Sequence, residues 1–471
     1  MRPGLTAAAG GAGYEPTADR IDPRVWRVAA VVFIGPFMAQ LDSTVVNVSL
    51  STIRQDLHAA TAAAQWIVSG YLLALALMLP LNGWLVDRMG AKRLYLGCFA
   101  VFTAASLLCG AARTMDELIL ARLLQGMAGG LMSPMPQMMM ARVAGRHMAR
   151  VMGYTVVPIL ITPILGPVVA GAILKYASWP WLFYLNLPMG MLGVSLAALL
   201  LPRDAATIQK RPFDLAGFLM ISPGLACLLY GLPNASHPAG ASALVAGMLL
   251  LGGFVRHARR LGRAALIDLA VFDNRIFSTA AATQFLSNGG FYARQFLVPL
   301  FLIAGCALKP GQAGGLIAAM GVGMLCPFPL VGSLTERFGC RAVSAGGALL
   351  ALGGMIPFLW MTRTGFSPAL TAVSLLVTGV GQGTISIPSM SAAYASVAKE
   401  RLAVANIAIN IVQRLGGLLA TTTTAIVMSL SAAHGSAPGP HPSLFAFTFL
   451  VGLQLITFGV AIRLPKLVRP A

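Results

Sequence analysis

The chain has 471 residues, 57% of them hydrophobic and only 10% charged, with a mean hydropathy of +0.79. Soluble domains carry about a quarter charged residues, so water is excluded as the main solvent. The formal charge of +19 would point to nucleic acid in a soluble chain, but the basic residues fall in alternate loops between apolar runs and leave no aromatic-interleaved basic surface, so nucleic acid is excluded as a partner.

After an N-terminal tail over 1 to 24, the first apolar run begins near Val25 and continues past Leu41, too long for a signal-peptide core and without a small-residue cleavage site. It is therefore retained as a helix. Runs of about twenty residues, each long enough for a hydrocarbon core of about 30 Å, recur at 25 to 50, 62 to 86, 93 to 112, 116 to 140, 151 to 174, 181 to 202, 213 to 233, 240 to 256, 276 to 305, 312 to 335, 341 to 361, 367 to 395, 402 to 430 and 443 to 464. This predicts an all-α membrane protein with about fourteen spans. The tails and even-numbered loops hold most Lys and Arg, among them Arg88, Lys92, Arg93, Arg146, Lys210 and Arg211, so the positive-inside rule puts both termini in the cytoplasm.

Residues 83 to 93, GWLVDRMGAKR, are echoed 249 residues later by GSLTERFGCR, with Gly83, Asp87, Arg88 and Gly90 matching Gly332, Glu336, Arg337 and Gly339. Both copies follow the second apolar helix of their half, which reads as two parallel six-helix bundles over 25 to 203 and 276 to 464. The spans within 213 to 256 are left over between them. Residues 257 to 275 mix Arg with Leu, Ile and Val at helical spacing and are expected to lie as an amphipathic linker on the cytoplasmic interface, and 465 to 471 form a cytoplasmic tail.

A charge inside the bilayer costs roughly 2.5 to 3.5 kcal/mol on insertion scales and so asks for a function. Of the 14 acids, Asp42 alone lies well inside a span, beside the basic residues Arg122, Arg294 and Arg414. Desolvation raises a carboxylate's pKa and a neighbouring Arg lowers it, so Asp42 is the candidate proton carrier. Arg294 corresponds through the repeat to Val45, one turn from Asp42, and is expected to face a central cavity, either paired with Asp42 or binding an anionic substrate. Arg122 is the competing partner for Asp42. Gln284, Asn288, Tyr292 and Gln295 share the Arg294 helix and, with Arg414, complete the candidate substrate cavity. All six histidines fall in loops or tails on this map, and the six cysteines read as small core residues, so neither a metal site nor a cofactor is implied.

With the repeat in place, the motifs resemble the major facilitator superfamily, specifically its fourteen-helix multidrug:proton antiporter family. LDSTVVNVSL from residue 41, QWIVSGYLLALALMLPLNGWLVDRMGAKR from 65, RLLQGMAGG from 122, LGPVVAGAIL from 165 and SWPWLFYLNLPMG from 178 stand in the order that group uses. The resemblance implies the major facilitator fold and makes Asp42 the proton carrier with Arg122 in the fourth-helix motif. It implies a gating loop of Gly83, Asp87, Arg88, Gly90 and Arg93, with Glu336 and Arg337 in the second copy, and an antiporter motif at Gly166, Pro167 and Gly171. Here Ala170 stands where the motif usually has the first of two glycines. In that fifth helix Pro158, Pro163 and Pro167 each remove a backbone donor, while Gly166, Ala170 and Gly171 offer a small-residue face.

The function so indicated is proton-coupled antiport that exports lipophilic or amphipathic compounds across a bacterial inner membrane, with export of one metabolite or siderophore as the alternative. The partners are a small-molecule substrate, protons and the lipid bilayer, with a periplasmic adaptor left open. A membrane-embedded enzyme is the remote alternative, and no H-E-x-x-H or comparable cluster supports it. The absence of a G-x-x-x-x-G-K-[ST] loop speaks against an ATP-driven pump.

Overall fold

A computed structural model describes residues 21–144, 147–202, 212–232, 234–235, 237–434 and 442–466. Arg146, Lys210, Arg211 and the tails 1 to 20 and 467 to 471 lie outside the described residues. Everything regular among the described residues is helical. The first helices are α1 (Pro23–Asp56), α2 (Thr61–Met78), α3 (Asn82–Met89), α4 (Ala91–Ala111), α5 (Met115–Met132), α6 (Met135–Val143), α7 (Met148–Tyr176), α8 (Pro180–Tyr184) and α9 (Asn186–Leu200). There follow α10 (Leu215–Gly231), α11 (Pro238–Leu261), α12 (Arg275–Leu300), α13 (Pro310–Leu325), α14 (Phe328–Thr364), α15 (Pro368–Ala395), α16 (Leu402–His434) and α17 (Pro442–Ala461). By length and composition nine helical stretches among the described residues can cross a membrane, and Leu165–Tyr176, Leu215–Gly231 and Gly311–Leu325 are shorter apolar helices. The protein is a multi-pass membrane protein.

The helix starts follow from local sequence. Asp22 accepts the Arg24 amide with Pro23 in the first turn, Thr114 accepts the Glu117 amide, and Asn274 accepts the Ile276 and Phe277 amides. α1 runs six residues beyond the expected 50, to Asp56, because Ile53 still packs inward and Trp179 donates its indole N–H to Asp56 at 2.5 Å.

The internal repeat is structural as well as sequential. Gly90 (φ 87°, ψ 154°) turns α3 into α4, and Gly339 (φ 84°, ψ 161°) breaks α14 at the matching place, a conformation open to glycine. One step further on, Lys92 donates to the carbonyls of Ala198 (2.7 Å) and Leu201 (2.8 Å), and Arg341, 249 residues later, donates its Nε–H to the carbonyl of Leu464 at 2.7 Å. Each cation sits on unpaired carbonyls at the end of the last helix of its half, where the helix dipole is negative.

The helices of the two halves pack unequally at the two ends. One hydrophobic cluster unites both halves, running from Val28, Met138 and Met152 to Phe328, Met390 and Ile407, at the end that carries the α1 start and the loop of Arg88 and Lys92. Towards the other end there are two separate clusters, one among residues of α1, α2, α5 and α8 and one among residues of α12, α14 and α17. At the shared seam the backbones of α7 and α14 nearly touch: a Cβ on Gly153 would fall 2.2 Å from the Phe328 carbonyl, and one on Gly332 the same distance from the Arg150 Cα. Met138, Met139 and Met140 are buried core residues of this seam.

α10 and α11 pack on each other, and α10 leans on α2, with Ser222 donating to the Leu77 carbonyl at 2.8 Å. The stretch after them departs from the expected interfacial helix. α11 itself continues to Leu261, and the chain then makes short turns at Gly262–Ala264 and Leu269–Asp273. Leu266, Ile267 and Val271 are buried in the shared cluster, because Asp214 accepts the Leu266 amide and pins the segment inward. His257, expected in a loop, lies in the last turns of α11 and pairs with Asp214 at 2.8 Å.

Candidate functional site

The only acid expected inside a span sits at the centre of a fully partnered polar site. Asp42 on α1 is buried, and its Oδ2 takes an N–H of Arg122 from α5 at 2.5 Å. Its Oδ1 accepts from Gln125 of α5 at 3.0 Å and from Asn186 at the start of α9 at 2.8 Å. Every partner is an N–H donor. That set satisfies an ionised carboxylate and offers nothing to a protonated one, whose O–H needs an acceptor.

Arg122 is held as firmly. It donates to Gln125 Oε1 at 2.6 Å and to the Ile67 carbonyl at 3.2 Å, and its guanidinium lies 4.3 Å from the centre of the Tyr71 ring. Gln125 also donates to Ser106 of α4 at 2.8 Å. Protonating Asp42 would remove the only negative charge here and leave a buried Arg122 to seek other partners. A site built this way can turn proton binding into a rearrangement of α1, α5 and α9.

Gln125, Asn186, Ser106 and Tyr71 escape a reading of the sequence, because neutral side chains in apolar helices carry no charge signal. Gln125 does stand three residues after Arg122, one turn on and on the same face.

Arg294 departs from the expectation. It is fully buried and points into the bundle behind α12, donating to Gln382 of α15 and to Gln454 of α17 at 3.4 Å; its Nε has no partner among the described residues. It does not pair with Asp42; it is enclosed between α12, α15 and α17 and closed to solvent. Helix-face geometry explains this: Ser287, Gly290 and Arg294 share one side of α12, and Gln382 bonds Ser287 there at 2.9 Å. Gln284, Asn288, Tyr292 and Gln295 lie on another. Of these, Gln284 is also fully buried, in a knot that joins Ser389 of α15 at 2.9 Å and Gln413 of α16 at 2.8 Å. Asn288 is half-buried and bonds Gln284, whereas Tyr292 and Gln295 are exposed.

α16 carries three polar residues one turn apart on one face. Asn406 donates across the seam to the Pro134 carbonyl at 2.7 Å, and Asn410 to Gln137 Oε1 at 3.2 Å. Arg414, the third, is half-buried and has neither an ion pair nor a hydrogen bond among the described residues.

The two copies of the loop motif are engaged differently. Gly83 packs against Ile407 of α16, Asp87 is buried and bonded, Arg88 lies 5.3 Å from the Trp84 ring centre, and Arg93 is exposed. Glu336 reaches across the seam to His147 at 3.1 Å, and Arg337 lies over Phe338. In α7, Gly166 presses on Thr44 of α1, with a would-be Cβ 2.4 Å from its Oγ1, and Ala170 is buried. Pro167 and Gly171 face outward, with nothing within 4 Å of a Cβ at Gly171, so the close-packing face is Gly166 with Ala170 and excludes Gly171.

Repeated halves, positive-φ glycines between the second and third helices of each, and a buried acid-arginine pair define a secondary-transporter fold. The chain belongs to the Major Facilitator Superfamily, whose family model matches residues 32–421. It is 32% identical over 432 residues to a Mycobacterium tuberculosis protein named multidrug resistance protein B homolog, covering 90% of this chain and 79% of that one. Its fold is similar to that of the human organic anion transporter MFSD10 (TM-score 0.63, 16% identity, 93% of this chain and 100% of that one) and of the proton:xylose symporter XylE (0.62, 14%, 94% and 96%).

Proposed function

We propose that the chain is a proton-coupled antiporter that exports lipophilic or amphipathic small molecules across a bacterial inner membrane, with both termini cytoplasmic. The observation that carries this is the buried Asp42–Arg122 pair, a lone intramembrane acid whose bonding partners among the described residues are all N–H donors. The name of the Mycobacterium tuberculosis relative supports export of drugs over a single metabolite. Two six-helix bundles, 25 to 203 and 276 to 464, move against each other, and the helices within 213 to 256 ride outside them.

With the basic end in the cytoplasm, the shared seam is the closed cytoplasmic gate and the site opens outward. A proton entering from outside neutralises Asp42, Arg122 is released, and α1, α5 and α9 repack. The seam then parts, substrate binds from the cytoplasm, and Asp42 gives up its proton inside. The energies are of the same order. A charge crossing 100 mV releases about 2.3 kcal/mol, and each seam hydrogen bond is worth about 0.5 to 1.5 kcal/mol.

The test is substrate-dependent proton release from the purified protein in liposomes, screened over cationic dyes, neutral drugs and metabolites. Proton movement that rises on adding an exported compound is expected. Export with no accompanying proton flux would overturn the reading.

A further inference from the structure

We infer that the cleft above the seam is a site for organic anions, in which the Arg414 guanidinium receives the carboxylate of an amphipathic substrate; this rests on the transport reading and names its substrate class.

The placement of Arg414 follows from its helix. Asn406 and Asn410 bridge to α6 and its preceding residue on the closed seam, and the same face of α16 one turn further on, away from that seam, bears Arg414. The hydrophobic contacts beyond this level separate into one cluster per half, so Arg414 stands where the halves part. Beside it a Cβ on Gly417 would fall 2.7 Å from the Tyr292 ring, which places that ring against α16. The ring open beside Arg414 is that of Tyr292, which is exposed, whereas Tyr71 is buried under the Arg122 guanidinium and closed to a ligand. One cation beside one exposed aromatic ring matches an aromatic or alkyl acid: apolar body on the Tyr292 ring, carboxylate on the guanidinium.

The charge balance makes the same point. Among the described residues Arg122 is the one intramembrane cation with a carboxylate, and Arg414 makes no ion pair with Asp42. While the cleft is open, water solvates Arg414. When the outer end closes, that water leaves, and a buried cation needs an anion from elsewhere. A carboxylate substrate supplies it, whereas a cationic drug would add a like charge opposite Arg414.

Binding is measured without a gradient on the full chain in nanodiscs of zwitterionic lipid, by intrinsic fluorescence of three matched probes: 2-naphthylacetate, 2-naphthylacetamide and 2-naphthylmethyl-trimethylammonium. The acetate is expected to bind roughly ten- to a hundred-fold more tightly than the amide, the range of a charge-assisted hydrogen bond, and the cation most weakly. Arg414→Gln abolishes the difference between acetate and amide, and Arg414→Lys retains part of it. Equal affinities for acetate and amide, a preference for the cation, or a preference for acetate that survives in a folded Arg414→Gln would each overturn the inference. The comparison of three probes on the unaltered chain stands even where the variant fails to fold. Proton-coupled export of neutral compounds with no charge preference would remove this inference alone, and charge-selective binding without proton flux would remove the transport reading alone.

Discussion

Replacing Asp42 by Asn keeps the size of the side chain and removes its charge, and the structure states what that does. Asp42 accepts N–H bonds on both oxygens, from Arg122 on one and from Gln125 and Asn186 on the other. An amide has one accepting end, so in either orientation its own N–H₂ faces a donor, and Arg122 is left buried without a carboxylate. Breaking a buried pair from one side costs about 3 to 5 kcal/mol. The Asn variant should therefore fold with reduced stability as well as fail to couple. The assay has two arms: denaturant unfolding in detergent, and uptake into inside-out vesicles with and without a proton gradient. Downhill exchange of substrate should persist while concentration against a gradient disappears. Adding Arg122→Gln to Asp42→Asn should recover at least about 1 kcal/mol of stability, since the double change leaves no orphaned charge, but no coupled transport. The reasoning is refuted if the Asn variant concentrates substrate at the wild-type rate, or if the double variant is no more stable than the single one.

The two loop copies should respond unequally: Asp87→Asn, at a buried and bonded carboxylate, should cut export at least ten-fold, while Glu336→Gln, whose partner His147 is reached at a partly exposed surface, should change it less than five-fold. Initial export rates in vesicles decide, and equal losses would deny the asymmetry. Gly332→Val puts side-chain atoms into the Arg150 backbone and should hold the seam apart, seen as raised thiol-reagent labelling of a cysteine placed at Gln137; unchanged labelling counts against a gate at this crossing. Outside the membrane, burial alone would raise the Asp214 carboxyl, but the Gly217 and Leu266 amides and His257 outweigh it and hold it below the usual carboxylate range. A lowered folded-state value means stability that is present above the unfolded value of about 3.9 and lost as pH falls through the folded one. Protection of the Gly217 and Leu266 amides, relative to their intrinsic exchange rates, should therefore fall below about pH 4, and Asp214→Asn should remove that acid response; protection that is flat with pH would refute it.

The helices are legible in the sequence because a membrane solvent forces long apolar runs, and Asp42 is legible because a lone acid in hydrocarbon is too costly to keep without a task. The sequence names both contenders for that acid, Arg122 and Arg294, and does not choose between them. Depth along the helix follows from the repeat, but the direction a side chain takes also depends on its face. Seven residues separate Ser287 from Arg294, two turns on one side of α12, and Gln284, Asn288 and Tyr292 run four apart along another. Gly171 differs from its expected role for the same reason: Gly166 and Ala170 are four apart and face α1 together, and Gly171 lies round the helix from them. The amide partners Gln125 and Asn186 stay hidden because only the folded chain brings α1, α5 and α9 to one point. The segment after α11 looks amphipathic because its apolar residues recur at helical spacing, yet Gly262 and the pull of Asp214 on Leu266 turn it inward instead.

α9 is gripped at both ends. Lys92 holds its last carbonyls, and Asn186, its first residue, holds the Asp42 carboxylate. Fifteen residues of helix make a rod about 22 Å long. The loop beside the closed seam and the protonation site are thus joined by a push-rod, with a hydrogen bond at each end as its bearings. Shifting the loop by an ångström draws Asn186 along the Asp42 oxygen by a similar amount, and losing the Asn186 contact frees the rod to slide. The second half repeats only the loop end of this linkage: Arg341 holds the Leu464 carbonyl just past α17, while Gln454, in the middle of that helix, meets Arg294. There the contact falls mid-helix and on a cation in place of a carboxylate, so no rod joins the loop of the second half to an acid.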